Sequence, residues 1–462
     1  MIAMRDIGET ILNLPKNINL RIHPYLSIVY ARMRSLLLSA KQHSVALLRR
    51  LERITKTDNV YLAKNGGLLL ITQGVSVLNG FVLYILISHF LSKETYGQYK
   101  YLLSLFSLFG LTALTGIEAS VERAVAHGHD GAVRAGFRRK FLGGACGSLI
   151  ALLVAVYYQL HGRSDMAVAL VLLAVFAPWI YAANVYITAF TGKKRFSDYT
   201  KLNIATTLLS FSVMALAFIY IHDPVLLFLA FLIASSSLLI AYRVAKTTLK
   251  NDSVGADTLR FGMHLSKLDI LGTLANNIDS VLAFHFLGAA SLAVYSFAIL
   301  PVEQMKGFLK SVQSVAAPKF AITTISDLRQ TLGRKLLIFM FGIAILMGIY
   351  ILLVPAFFDL FFPAYRGSVA YSQIYSLSLI FAMPASLLQI LFQSQGLRRE
   401  TTIFNVVAYS TQIILLVLGV WFFGLWGLIG SRVLSRVLMF VNTVFLLKTH
   451  RPIQGEGPAP VL

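Results

Sequence analysis

Twelve stretches of mostly apolar residues succeed one another along the chain. They lie at 66–90, 99–119, 141–160, 166–190, 201–221, 224–246, 264–287, 290–312, 335–358, 369–394, 402–423 and 425–447. Crossing the hydrocarbon layer as a helix takes roughly 20 such residues, so each stretch predicts a membrane span. The seventh is the least apolar. Pro178, Pro301, Pro355 and Pro384 fall inside or near the ends of these stretches, where membrane helices tolerate proline better than soluble ones do. Before the first span the pattern changes. From Tyr25 to Thr57, apolar residues recur at helical spacing with Arg32, Arg34, Lys41, Arg49, Arg50 and Arg53 between them. That segment reads either as a basic amphipathic helix or hairpin on a membrane surface, or as an extension without stable structure. The predicted division is a basic extension (1–62), a six-helix bundle (63–247), a linker (248–263), a second six-helix bundle (264–448) and a disordered tail (449–462).

Charge turns the span count into an orientation. Of the 41 Lys and Arg residues, 35 fall before the first span, after the last, or in the loops at alternate ends of the spans. The 2–3 loop, for example, holds Arg123, Arg134, Arg138, Arg139 and Lys140, and the 4–5 loop Lys193, Lys194, Arg195 and Lys201. The opposite ends hold only Lys93, Lys100, Arg163 and Arg366. Basic loops stay cytoplasmic, so both termini are expected inside, and a missed span would scramble the alternation. The outward loops are too short to hold a folded domain.

Composition agrees. Hydrophobic residues make up 57% of the 462 and charged residues 13%, about half the charged share of a soluble domain. The net charge of +21 would suggest nucleic acid in a soluble protein. Here it reads as topology signal and attraction to anionic lipid heads, and no nucleic-acid partner is expected. The single cysteine, Cys146, excludes a disulfide framework or a cysteine metal cluster and reads as a small packing residue in the third span. No apolar stretch near the N-terminus is followed by a small-residue cleavage site, so no cleavable signal peptide is expected. Gly143 and Gly147 form a small-xxx-small pair suited to helix packing.

The two halves repeat. His89-Phe90-Leu91 precedes Tyr99 as His285-Phe286-Leu287 precedes Tyr295, an offset of 196. Gly192-Lys193-Lys194-Arg195 after the fourth span matches Gly396-Leu397-Arg398-Arg399 after the tenth. Equivalent spans cross in the same direction, so the repeat is parallel: two six-helix bundles about an axis along the membrane normal, with a central cleft.

These junctions resemble those of the Wzx-type oligosaccharide flippases, in the superfamily that also holds multidrug and lipid II exporters. The stretch Asn277-Ile278-Asp279-Ser280-Val281-Leu282, running into Phe286-Leu287-Gly288 and Tyr295, is similar to that family's seventh helix. Leu91 with Tyr96-Gly97-Gln98-Tyr99 is similar to the matching pattern in the first half. The Gly-basic turns after the fourth and tenth spans and Gly424, Gly427 and Gly430 also fit. The resemblance covers residues 60–450. Leu292-Ala293 departs from it, as does the long N-terminal extension. It implies an all-α exporter fold in the bacterial inner membrane and an undecaprenyl-diphosphate-linked oligosaccharide as substrate, carried for surface polysaccharide synthesis (lipopolysaccharide or exopolysaccharide).

Ionisable groups at membrane depth cost about 2.5–3.5 kcal/mol each on insertion scales, so they mark function or pairing. The twelfth span places Arg432 and Arg436 at i and i+4 on one face, with Arg436 near the midplane. The eighth carries Glu303, then Lys306 and Lys310. The seventh carries Asp269, Thr273, Asn276, Asp279 and Ser280, read as one stripe, and His285 near its outer end. Glu118 and Glu122 close the second span. One reading is a hydrated cationic cavity lined by Arg436, Arg432, Glu303, Asp279, Asn276, Lys306 and Lys310, with Asp279 and Glu303 as candidates to couple H⁺ or Na⁺. Forked guanidinium hydrogen bonding suits the diphosphate that the resemblance implies. The plainer reading pairs an arginine with Asp279 or Glu303 to hold the structure together, makes anchors of Lys306 and Lys310, and leaves His89 and His285 as polar helix ends.

Three function classes compete. A flippase breaks no bond and, lacking a nucleotide-binding loop here, draws on an ion gradient or on consumption of its product. Its partners are the lipid-linked substrate, membrane lipids and other polysaccharide assembly proteins. A drug/cation antiporter of the same superfamily favours an acidic cavity, which the arginines oppose. An envelope polymerase or glycosyltransferase needs acidic or His clusters facing outward, and the outward loops offer only Glu94, Asp165, His222-Asp223 and Asp359. A scaffold of a glycan assembly complex is the remaining non-transporting alternative. No cofactor or metal is expected.

Overall fold

A computed structural model describes residues 59–255, 257–313, 325–395 and 397–449. The amphipathic segment and the tail from residue 450 lie outside them. All regular elements among the described residues are helical. The spans are Asn59–Phe90, Lys93–Ala113 with Ile117–Ala126, Gly131–Leu160, Ser164–Gly192, Phe196–Tyr220 and Pro224–Lys246 in the first half. The second half has Thr258–Leu287, Ala289–Gln313, Ile325–Phe361, Pro363–Ser376 with Ser378–Ser394, and Arg398–Thr449. The last is two spans. Its helix breaks at Gly424 (φ 57°, ψ −131°), and Ser431 donates to the carbonyl of Leu415 at 2.6 Å, so the chain reverses between them. Among the described residues, eight helices and two bent pairs are long and apolar enough to cross a membrane; dividing the last at Gly424 and adding the less apolar Ala289–Gln313 is consistent with the twelve predicted.

Local chemistry explains the short turns at one end. Ser92 caps the second span by accepting from the N–H of Thr95 at 3.0 Å. Asp223 caps the sixth by accepting from Val225 and Leu226 at 2.9 and 2.8 Å, ahead of Pro224, which has no amide proton to satisfy. Gly288 (φ 85°) ends the seventh. Pro178, Pro301, Pro355 and Pro384 all sit inside helices.

Among the described residues, 59–76 with Arg195–Ala205 form one compact unit, and the rest of the chain forms the other. In the first, Thr72 and Ser76 return their hydroxyl protons to carbonyls one turn back and Arg195 pairs with Asp198 at 2.6 Å. The remaining description concerns the larger unit.

There, apolar side chains face both ways, because lipid is as apolar as a protein core. Leu170, Phe228, Phe297 and Phe358 are fully buried, while Leu153 and Leu352 stand exposed. Cys146, read as a small packing residue, is exposed on the surface of its helix. Gly143 and Gly147 do pack. A Cβ on either would strike Thr112 at the break of the second span, and one on Gly147 would also lie 2.6 Å from the carbonyl oxygen of Phe109.

The basic loops meet at one end. Asp130 in the 2–3 loop binds the Lys193 ammonium at 2.7 Å and accepts from the N–H of Lys250 at 2.6 Å. Lys193 also donates to the Thr248 carbonyl, and Asn251 accepts from the Asp130 N–H at 3.1 Å. Burial pushes the Asp130 carboxyl upward, but the Lys193 ammonium and the Lys250 and Asn251 backbone hold it below its ordinary value. This hub fastens the linker between the halves to the first half. At the opposite end the halves seal. A Cβ on Gly97 would strike the carbonyl of Ala289, Tyr101 stacks on Phe284 at 4.0 Å, and Tyr96 and Tyr84 pack edge-on to Phe297.

Candidate functional site

The charged residues of the second half collect around the seventh, eighth, tenth and twelfth spans. Asp279 and Arg432 form an ion pair, both at under 5% exposure. Tyr295 donates to the same Asp279 oxygen at 2.5 Å. Two atoms of this pair, Asp279 Oδ1 and Arg432 Nε, are buried without a hydrogen-bond partner. Glu303 binds the Lys306 ammonium one turn along its own helix and accepts the hydroxyl proton of Tyr375.

Arg436 differs. It is 8% exposed, and its hydrogen-bond partner is the Met439 sulfur at 3.7 Å, a weak acceptor. None of the described ion pairs includes it. The cluster therefore holds two carboxylates and three cations, and the pairing leaves the excess charge on Arg436. A buried charge without a counter-ion is costly, so the site gains from any anion delivered to it.

The structure separates residues that the sequence placed together. The stripe on the seventh span is not one environment. At 3.6 residues per turn, Asp279 stands to one side of the line through Asp269, Thr273, Asn276 and Ser280. Asp279 is buried against the twelfth span, whereas Asn276 is exposed. Asp269, also exposed, accepts from Thr115 of the first half at 3.1 Å. The side chain of Lys310 lies outside the described residues. His285 reaches the first half, 3.2 Å from the hydroxyl of Tyr101, which bonds Tyr158 at 2.7 Å. His89 turns back on its own helix to the Ile85 carbonyl at 2.9 Å. Glu118 pairs with Lys140 of the third span. Sequence reasoning missed Tyr295 and Tyr375 as partners of the acids. Tyr295 had a signal, since it opens the helix after the Gly288 turn, at a repeated junction that also follows Asp279. Tyr375 had none.

The model of the family described as polysaccharide biosynthesis protein matches residues 62–324, more than half of the chain. The chain belongs to the polysaccharide biosynthesis protein family. This agrees with the flippase-type resemblance of its junctions. No curated protein matches the chain. Among solved structures, it is similar to the lipid II flippase MurJ in an inward closed conformation, with TM-score 0.61 and 13% identity, covering 82% of this chain and 87% of that one. It is also similar to an inward-facing multidrug resistance MATE family transporter of the MOP superfamily, with TM-score 0.57 and 14% identity, covering 81% and 96%. At these identities the likeness fixes the fold: an all-α membrane protein of two six-helix bundles, related by a parallel repeat around a central cleft.

Proposed function

We propose that this family member flips an undecaprenyl-diphosphate-linked oligosaccharide across the bacterial inner membrane, with Arg436 engaging the diphosphate. The observation that carries the reading is the buried Arg436 guanidinium, which has no carboxylate partner among the described residues. A planar fork of N–H donors matches two phosphate oxygens, such as those of the diphosphate that the flippase resemblance implies. Halves 63–247 and 264–448 rock about the cleft, both termini on the cytoplasmic side, so that the head group crosses without any bond being broken. Asn276 faces the head group from the seventh span. Asp279 and Glu303 each hold a cation. Exchange of those partners for H⁺ or Na⁺ during the cycle couples transport to an ion gradient.

Flipping of labelled lipid-linked oligosaccharide in proteoliposomes tests this. Arg436→Ala should abolish flipping with the inserted amount of protein unchanged, and Arg436→Lys should recover only part, because it lacks the fork. Full activity of Arg436→Ala would end the assignment.

A further inference from the structure

A second cationic site lies away from the Arg436 cluster, at the end of the molecule where the basic loops meet. A cavity of about 400 Å³ opens between the end of the second span, the 2–3 loop and the linker entering the seventh span. The charged and titratable side chains lining it are Arg123, His127, His129 and Asp257, with Thr258 and Phe261 between them.

The hydrogen bonding leaves the Arg123 guanidinium and the two imidazole Nε2 atoms available. Arg123 sits 5.4 Å over the Phe261 ring, a contact made with the ring face, and none of the described ion pairs includes it. His127 uses Nδ1 on the Arg123 carbonyl at 2.8 Å, which can only accept, so that nitrogen carries the proton. His129 uses Nδ1 on the Ser253 hydroxyl at 3.3 Å. That hydroxyl gives its own proton to Asn251 at 2.7 Å, so His129 is again the donor. Each ring therefore keeps Nε2 for another partner, and protonation there supplies an N–H donor. An anion in the cavity favours that charged form, and Asp257, the one lining carboxylate among the described residues, repels the anion.

We propose that this cavity is a binding site for a phosphate-bearing anion, held by Arg123 and by Nε2 of His127 and His129. The proposal is independent of the flipping assignment. Because two walls come from the first half and the third from the linker to the second, an occupied site ties the linker down and favours the arrangement of the halves seen here.

The test is calorimetric titration of inorganic pyrophosphate into the full chain carrying Arg436→Ala, so that the other cationic site does not contribute. The protein is held in phosphatidylcholine nanodiscs. Saturable binding is expected. It should weaken at least tenfold in Arg123→Gln and in the His127→Gln/His129→Gln pair, and tighten several-fold in Asp257→Asn. Nanodiscs containing phosphatidylglycerol distinguish the source of the phosphate. Loss of pyrophosphate binding there, reversed at high pyrophosphate, identifies a lipid head group as the occupant, and unchanged binding identifies a free phosphate compound. Absence of saturable binding, or binding indifferent to Arg123→Gln and the paired histidine change, overturns the proposal.

Discussion

The two bundles follow the same path with different contents. Tyr99 and Tyr295 open the same helix of each repeat, and both are buried. Tyr295 meets a carboxylate, while Tyr99 packs edge-on to Phe218 at 5.8 Å. At the repeat offset, Asp279 corresponds to Leu83, Glu303 to Ser107 and Lys306 to Gly110. The sixth span buries Phe228 and Leu232 and carries no charge before Arg243, whereas the twelfth carries Arg432 and Arg436 at depth. Shared geometry sets the path of the chain. At these positions the charged cluster belongs to the second half alone, so under the proposed function it is the second half that engages the head group.

Breaking the buried pair should have the largest effect. Asp279→Ala strands the Arg432 guanidinium and should cost about 3–5 kcal/mol, read as a lowered unfolding midpoint in detergent. Replacing both partners with apolar residues, Asp279→Leu with Arg432→Met, should recover most of that loss, since a buried pair gives little net stability over well-packed hydrophobes. If the double change is as unstable as the single one, the pair is not an isolated structural unit.

Giving the first half the second half's charge should be nearly as damaging. Leu83→Asp places a carboxylate where no arginine waits and should cost about 2.5–3.5 kcal/mol on insertion scales, visible as reduced insertion and a lower midpoint. Normal insertion and stability would mean that the first half holds a hidden cation partner and that the contrast between bundles is shallower than the side chains indicate.

A smaller effect is expected at Asp130. Its folded carboxyl lies below the ordinary value, so its contribution to stability is present above the unfolded value, about 3.9, and fades as pH falls through the lowered folded one. Asp130→Asn should remove about 1–3 kcal/mol at pH 7, with the difference from the natural chain shrinking in acid. A pH-independent difference would place the effect in packing.

The count of spans and the parallel repeat were legible because lipid demands long apolar runs and short turns, and because basic loops alternate. The packing of Gly143 and Gly147 follows from small residues at helix spacing. Partner choice was not legible. Which acid meets which arginine depends on how each helix is rotated against its neighbour, and a few tens of degrees separated Asp279 from the line carrying Asn276. Cys146 shows a second limit: hydropathy sorts residues into and out of the membrane but does not distinguish the core from the lipid face.

The most direct test of the contrast is the affinity of the purified protein for a short undecaprenyl-diphosphate oligosaccharide, measured with the unfolding midpoint on the same samples. The account predicts that Arg436→Ala weakens binding at least tenfold, about 1.4 kcal/mol, at an unchanged midpoint. Equal affinity in the natural chain and in Arg436→Ala would contradict it.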